Sequence, residues 1–144
     1  MVKIPYYESS YFVFSNLSPL SVQYKGILYP TSEHAYHSAK FDQPEIKEEI
    51  RKARSPLEVV ELARRYEAKR KKNWEKIKLD IMYEILKEKI GQHKEMYDAL
   101  ITTGNEEIVE DNPNNNFWGN GKDKKGENQM GKTLMKLRQE LKQK

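Results

Sequence analysis

Residues 74–90 read WEKIKLDIMYEILKEKI, and this stretch decides the fold. Trp74, Ile77, Ile81 and Ile85 recur at helical spacing, with Leu79, Met82, Leu86 and Ile90 as a second stripe beside them. The pattern predicts one long helix from about Lys71 to Ile90. An apolar arc this wide has to be covered by more than one neighbour, so the helix is central. Lys78 falls inside the arc, one turn after Trp74. Either its stem snorkels and leaves the ammonium in water, or the ammonium stands at the rim of a ligand pocket.

Around this helix the chain falls into three zones. Residues 1–30 read as short strands: YFVFS (11–15) is a β-favouring run, and VQYKGILY (22–29) places Lys25-Gly26 between two apolar segments like a hairpin turn. Residues 31–103 read as helices, with Thr31 or Ser32 capping the first, and Pro44 and Ser55-Pro56 each restarting another. The third zone begins with a helix end at Gly104 and a short strand in EEIVE (106–110). Then comes DNPNNNFWGNG (111–121), with five asparagines, one proline and two glycines in eleven residues. Such a segment predicts turns with positive φ. Phe117 and Trp118 within it are costly in water, so the loop is expected to fold over something. A last helix runs from about Glu127 to Leu141, burying Met130, Leu134, Leu137 and Leu141.

The length of 144 residues suits a single domain spanning 1–144. Charged residues make up 33% and aromatic ones 10%, a globular composition with a lean core. The net charge of +4 is mild and spread out; it fits an anionic ligand without demanding nucleic acid. No cysteine is present, which excludes disulfides, thiolate catalysis and zinc–thiolate sites. The N-terminus has no apolar signal core and no run is long enough to span a membrane, so a soluble, cytoplasmic protein is expected, with no membrane partner.

The chemistry concentrates in YPTSEHAYHSAKF (29–41). Three readings are open: a capped surface helix, a metal site, or a catalytic carboxylate. His34 and His37 are three apart, whereas the zincin pattern needs four with a glutamate between, so no metal is assigned. Glu33 lies in the first turn, where the macrodipole stabilises a carboxylate. His37 and Lys40 follow one and two turns later on the same face, with Tyr36 close by. A carboxylate, an imidazole and an ammonium in a row suit binding a polar ligand and moving protons.

These fragments together resemble the NADAR (YbiA-like) family along almost the whole chain. The matching pieces are FSNLSP (14–19), YPTSEHAYHSAKF, Ala63 to Tyr66 with Arg65, Trp74 with Lys78 and Met82, Thr103-Gly104, FWGNG (117–121) and GENQMGKTLMKLR (126–138). The resemblance implies a predominantly helical α+β domain with a few short strands. It implies an N-glycosidase acting on a ribosyl C1–N bond and needing no cofactor. The substrates implied are phosphoribosylamino-pyrimidine intermediates of riboflavin synthesis, or ADP-ribosylated guanine, in nucleic acid or free. A non-catalytic ADP-ribose-binding module is the alternative.

Carried over residue by residue, the resemblance makes Glu33 the catalytic glutamate, with Lys40 and Asn115 beside it in the catalytic set. Ser15, Asn16, His34, Tyr36, Arg65, Trp74, Lys78, Trp118, Gly119 and Asn128 are the expected substrate-binding positions. Asn128 stands near the start of the last helix, where backbone N–H groups are expected to accept a phosphate. Two departures stand out: many relatives have aspartate where this chain has Asn115, and glycine where it has Arg64. If that aspartate is a catalytic partner, this chain has lost it or uses Asp111 or Glu110 instead; a related substrate preference is the further alternative.

Overall fold

A computed structural model describes residues 1–5 and 11–143; the part of the N-terminal strand zone at 6–10 lies outside them. The described chain divides into two compact units, residues 19–92 and residues 1–18 with 93–144.

The first unit opens with the hairpin. Strands β2 (Val22–Tyr24) and β3 (Ile27–Tyr29) pair antiparallel in the register Val22↔Tyr29, Gln23↔Leu28, Tyr24↔Ile27. Lys25 and Gly26 both take positive φ, 51° and 82°, as a two-residue hairpin turn requires. Helix α1 (Ser32–Ser38) follows, capped by Thr31, whose side chain accepts from the His34 N–H. Helices α2 (Pro44–Arg51) and α3 (Pro56–Arg65) each begin on proline, and Ser55 caps the second. Phe41, Ile46, Ile50, Ala53, Val59, Leu62 and Ala63 close a core between them.

Helix α4 (Trp74–Gln92) starts three residues later than its apolar pattern predicts and packs on α1 and β2. Trp74, Ile81, Met82, Ile85, Leu86 and Ile90 are buried, so two apolar stripes indeed need two neighbours. Leu79 departs from the second stripe: it is 38% exposed.

In the second unit β1 (Val2–Ile4) pairs parallel with β4 (Ile108–Glu110), Val2 opposite Ile108. The YFVFS run is not a strand: Phe12–Phe14 form a 3₁₀ turn. Such a turn eclipses residues three apart, and Tyr11 and Phe14 stack with ring centroids 6.0 Å apart. Helix α5 (Lys94–Thr102) packs on this turn and on α6 (Gln129–Lys142). Gly104, at φ 63°, ends α5 as expected.

Helix α6 packs on β4 through glycine. A Cβ at Gly131 would lie 2.0 Å from the Ile108 carbonyl oxygen and 2.5 Å from the Asn128 amide nitrogen. Backbone cannot yield as a flexible side chain can. Gly131→Ala is therefore expected to destabilise the fold by at least the overpacking range of about 1–3 kcal/mol, read as a lowered urea midpoint. An unchanged midpoint would show that α6 and β4 are not so closely packed.

Candidate functional site

The α1 cap fixes one histidine completely. His34 is 1% exposed; its Nε2 lies 3.0 Å from the Ala53 carbonyl oxygen and its Nδ1 2.8 Å from Thr31 Oγ1. A carbonyl only accepts, so Nε2 carries the proton and Nδ1 accepts from the Thr31 hydroxyl. With both ring nitrogens bound to protein, His34 braces the helix start against the α2–α3 loop. It was expected at the substrate; its geometry is that of a positioning residue.

Glu33, next to it, is half-buried. Its carboxylate lies 3.2 Å from His37 Nε2, one turn on. Lys40 follows just past the helix, its ammonium 5.5 Å from the Tyr36 ring centroid and 6.0 Å from that of Trp74. Tyr36 and Trp74 are both buried and meet edge to face at 5.2 Å. Burial pulls the Lys40 pKa below the usual lysine range, against the pull of Glu67 and Glu33. Glu33, His37 and Lys40 thus cluster as carboxylate, imidazole and ammonium over two rings that, expected at the substrate, are buried beneath the ammonium instead.

Lys78 departs from the snorkelling expectation. Its side chain is 15% exposed and its ammonium sits 2.5 Å from Glu75, so it neither floats in water nor offers an unpaired charge.

In the other unit the asparagine loop works through side chains rather than through positive φ. Among residues 111–121 only Gly121 has φ above zero. The Asn115 Oδ1 accepts from the Phe117 N–H at 3.0 Å and the Trp118 N–H at 2.8 Å. Asn112 Oδ1 accepts from Asn114 N–H, and Asn120 Oδ1 from Asn112 N–H. The Asn115 and Asn112 bonds are local turns in which the amide replaces a backbone acceptor, and the Asn120 bond closes the loop across eight residues. Trp118 is half-buried, edge to face with Phe117 at 4.9 Å. Gly119 is held for space: a Cβ there would meet Asn112 Cβ at 2.8 Å and two backbone carbonyl oxygens at 3.0 Å.

Against this geometry stand the likenesses to known proteins. The family model described as NADAR domain matches residues 5–142. The chain belongs to the NADAR family. The N-glycosidase YbiA of Escherichia coli is 36% identical over 140 residues, covering 96% of this chain and 88% of that one. The riboflavin biosynthesis protein VVA0006 of Vibrio vulnificus is 33% identical over 127 residues, covering 88% of this chain and 35% of that one. The NMR structure of E. coli YbiA superposes with a TM-score of 0.87 at 34% identity, over 98% of this chain and 85% of that one. The predominantly helical α+β architecture is that of the NADAR fold.

Several expected positions in this NADAR chain have other partners. Asn128, at φ 51°, accepts from the Glu110 N–H at 2.9 Å and donates to the Ile108 carbonyl at 2.9 Å, so both ends of its amide clamp β4. The start of α6 is not open to phosphate either. The N–H groups of residues 127–130 donate to the carbonyls of Asn116, Gly119, Phe117 and Trp118 in turn. The loop itself has filled the anion-binding end of the helix. Ser15, 5% exposed, accepts from the Leu17 N–H and shapes the turn that holds Asn16 half-buried.

Arg65 ends α3, well exposed, 3.9 Å from Glu49. It borders a depression of about 430 Å³ that also holds Glu49, Glu58 and Glu61, a lining that repels phosphate. Asp111 is tied to Lys124 at 2.7 Å and Asn120 at 3.0 Å, and these contacts hold its carboxyl below the usual range.

Sequence reasoning missed Lys89. It is fully buried on α4, donates to Ser32 Oγ at 3.2 Å, and feels the charge of Glu33. Its signal was positional: residues 82, 85, 86, 89 and 90 share one helix face, and a lysine there has nowhere to snorkel. Burial pushes its pKa down to about 7, against a value of about 10.4 for an unfolded lysine. Between those limits the unfolded chain carries a proton that the folded chain lacks, so this group adds stability as pH rises from about 7 to about 10. Denaturant midpoints of the wild type and Lys89→Met are expected to diverge in favour of the wild type across that window. A difference that is flat with pH would contradict the depressed pKa.

Proposed function

We propose that this chain is an N-glycosidase that hydrolyses the ribosyl C1–N bond of a phosphorylated ribosyl compound. The substrate is a phosphoribosylamino-pyrimidine of riboflavin synthesis or an ADP-ribosylated guanine. The N-glycosidase and riboflavin-biosynthesis names of its relatives support the reaction class. The observation that carries the reading is the half-buried Glu33 carboxylate on His37, one helix face from an ammonium over two aromatic rings.

Breaking C1–N puts positive charge on the sugar and negative charge on the leaving base. Glu33 stabilises the first and takes a proton from the attacking water, whose oxygen bonds to C1. The nitrogen leaves with the bond's electron pair and needs a proton. Lys40, made more acidic by burial, is suited to give it. His37 orients the carboxylate, and the buried Tyr36 and Trp74 rings hold the Lys40 ammonium in place. In the other unit Asn115, through its two turn bonds, sets the position of the half-buried Trp118 indole. The family match runs through both units, which supports reading residues 1–144 as one domain. No helix among the described residues is long and apolar enough to cross a membrane, and a cytoplasmic site of action belongs to this reading.

The experiment is an incubation with phosphoribosylamino-pyrimidine and with ADP-ribosylated guanosine or DNA, following free base by chromatography. Release from at least one is expected. A strong salt dependence would favour the polymer, since phosphate contacts release counterions. The competing reading is a non-catalytic ADP-ribose-binding module, motivated by Asn115 in place of aspartate. It predicts ADP-ribose binding by calorimetry with no base released from any of these compounds.

A further inference from the structure

A second cavity in the 19–92 unit has no part in the chemistry above. It is about 120 Å³ in volume and lies between the β2–β3 hairpin, the end of α1, α2 and α4. Tyr24, Tyr29 and Ile81 form apolar walls, and Lys25, Lys47 and Lys71 complete the lining. We propose that this cavity binds one phosphoryl group, free or at the end of a phosphomonoester, through Lys25, Lys47 and Lys71.

The three cations are close enough to act on one another. Burial lowers the Lys47 pKa, Lys71 and Lys25 oppose its charging further, and Asp42 favours it. The Lys47 ammonium is held in place by the Ser38 and Phe41 carbonyls, each at 3.2 Å. Two of its protons go to these bonds, which leaves the third for a ligand. Lys71 is 25% exposed in its side chain, and its backbone N–H donates to the Lys40 carbonyl at 2.7 Å.

Two acids are at hand, and one of them offsets part of the charge of the three lysines. Asp42 is 3.8 Å from Lys71 but 82% exposed, and Glu84 accepts from the Tyr24 hydroxyl at 2.6 Å. Lysine at position 25 also carries a conformational cost, because a left-handed φ of 51° suits glycine or asparagine better. An anion among these groups relieves their mutual repulsion and makes charge-assisted hydrogen bonds. The volume admits a phosphate.

The test is a titration of the full chain, followed by the backbone amide NMR signals of Lys25 and Lys71. Inorganic phosphate and ribose 5-phosphate are added separately, with sodium chloride at matched ionic strength as reference. Saturable one-to-one shifts with phosphate and not with chloride are expected. Lys25→Asn suits the turn and so tests the charge without harming the hairpin; Lys71→Gln is the second variant. Each is expected to weaken binding about tenfold or more, the loss of one charge-assisted bond. Tighter binding of ribose 5-phosphate would assign the site to a phosphomonoester, and equal affinity to free phosphate. The proposal is overturned if neither compound saturates, if chloride gives the same shifts, or if both variants bind as the wild type does. Because the readout is phosphate binding, failure here leaves the assignment of Glu33 standing.

Discussion

Glu33→Gln is expected to lower base release by on the order of 10²–10⁴-fold, the contribution of a single positioned acid or base. Glutamine keeps the shape of the side chain and can still hydrogen-bond His37, which lies 3.2 Å away. It can neither take a proton from water nor oppose positive charge at C1. The loss should therefore fall on the chemical step, with ligand affinity and thermal midpoint close to wild type. Equal release by the variant would remove Glu33 from the chemistry, whatever the relatives do.

Trp74→Ala is the second large effect. The indole is 1% exposed, begins α4, meets Tyr36 edge to face and carries the Lys40 ammonium on its face. Deleting a buried indole costs about 3–5 kcal/mol, a large share of the stability of a domain this size. A fall in Tm on the order of 10 °C is expected in calorimetry. Trp74→Phe should recover part of the stability, because a ring still packs on Tyr36. If Trp74→Ala melted with the wild type, the indole would have to be outside the core.

How far the sequence could be read depended on range. Proline at the start of α2 and α3, the Thr31 cap and the Lys25-Gly26 turn are written in neighbouring residues, so those elements were legible. The pairing of residues 2–4 with 108–110 joins segments about a hundred positions apart, and no local pattern announces it. YFVFS has the composition of a strand, but a strand sends Tyr11 and Phe14 to opposite faces, and their stacking needs the tighter turn.

The same division holds in the candidate site. Glu33, His37 and Lys40 fall on one helix face by spacing alone, and the structure keeps them together. Asn128 lies beside an anion-binding motif in the sequence, yet its amide is used by a strand twenty residues earlier. The loop carbonyls that fill the start of α6 were equally invisible, because asparagine-rich composition predicts turns without saying what the turns accept. Lys89 was hidden by habit: lysines on amphipathic helices are read as solvent-facing, and only its place among Met82, Ile85, Leu86 and Ile90 says otherwise.

The most direct measurement is the pH dependence of single-turnover base release, wild type beside Glu33→Gln. A general base works only when deprotonated, so the wild-type rate should fall with unit slope on the acid side. The expected result is that this acid limb vanishes in the variant, leaving a slow, flat residue. The same limb in both proteins would contradict Glu33 as the base.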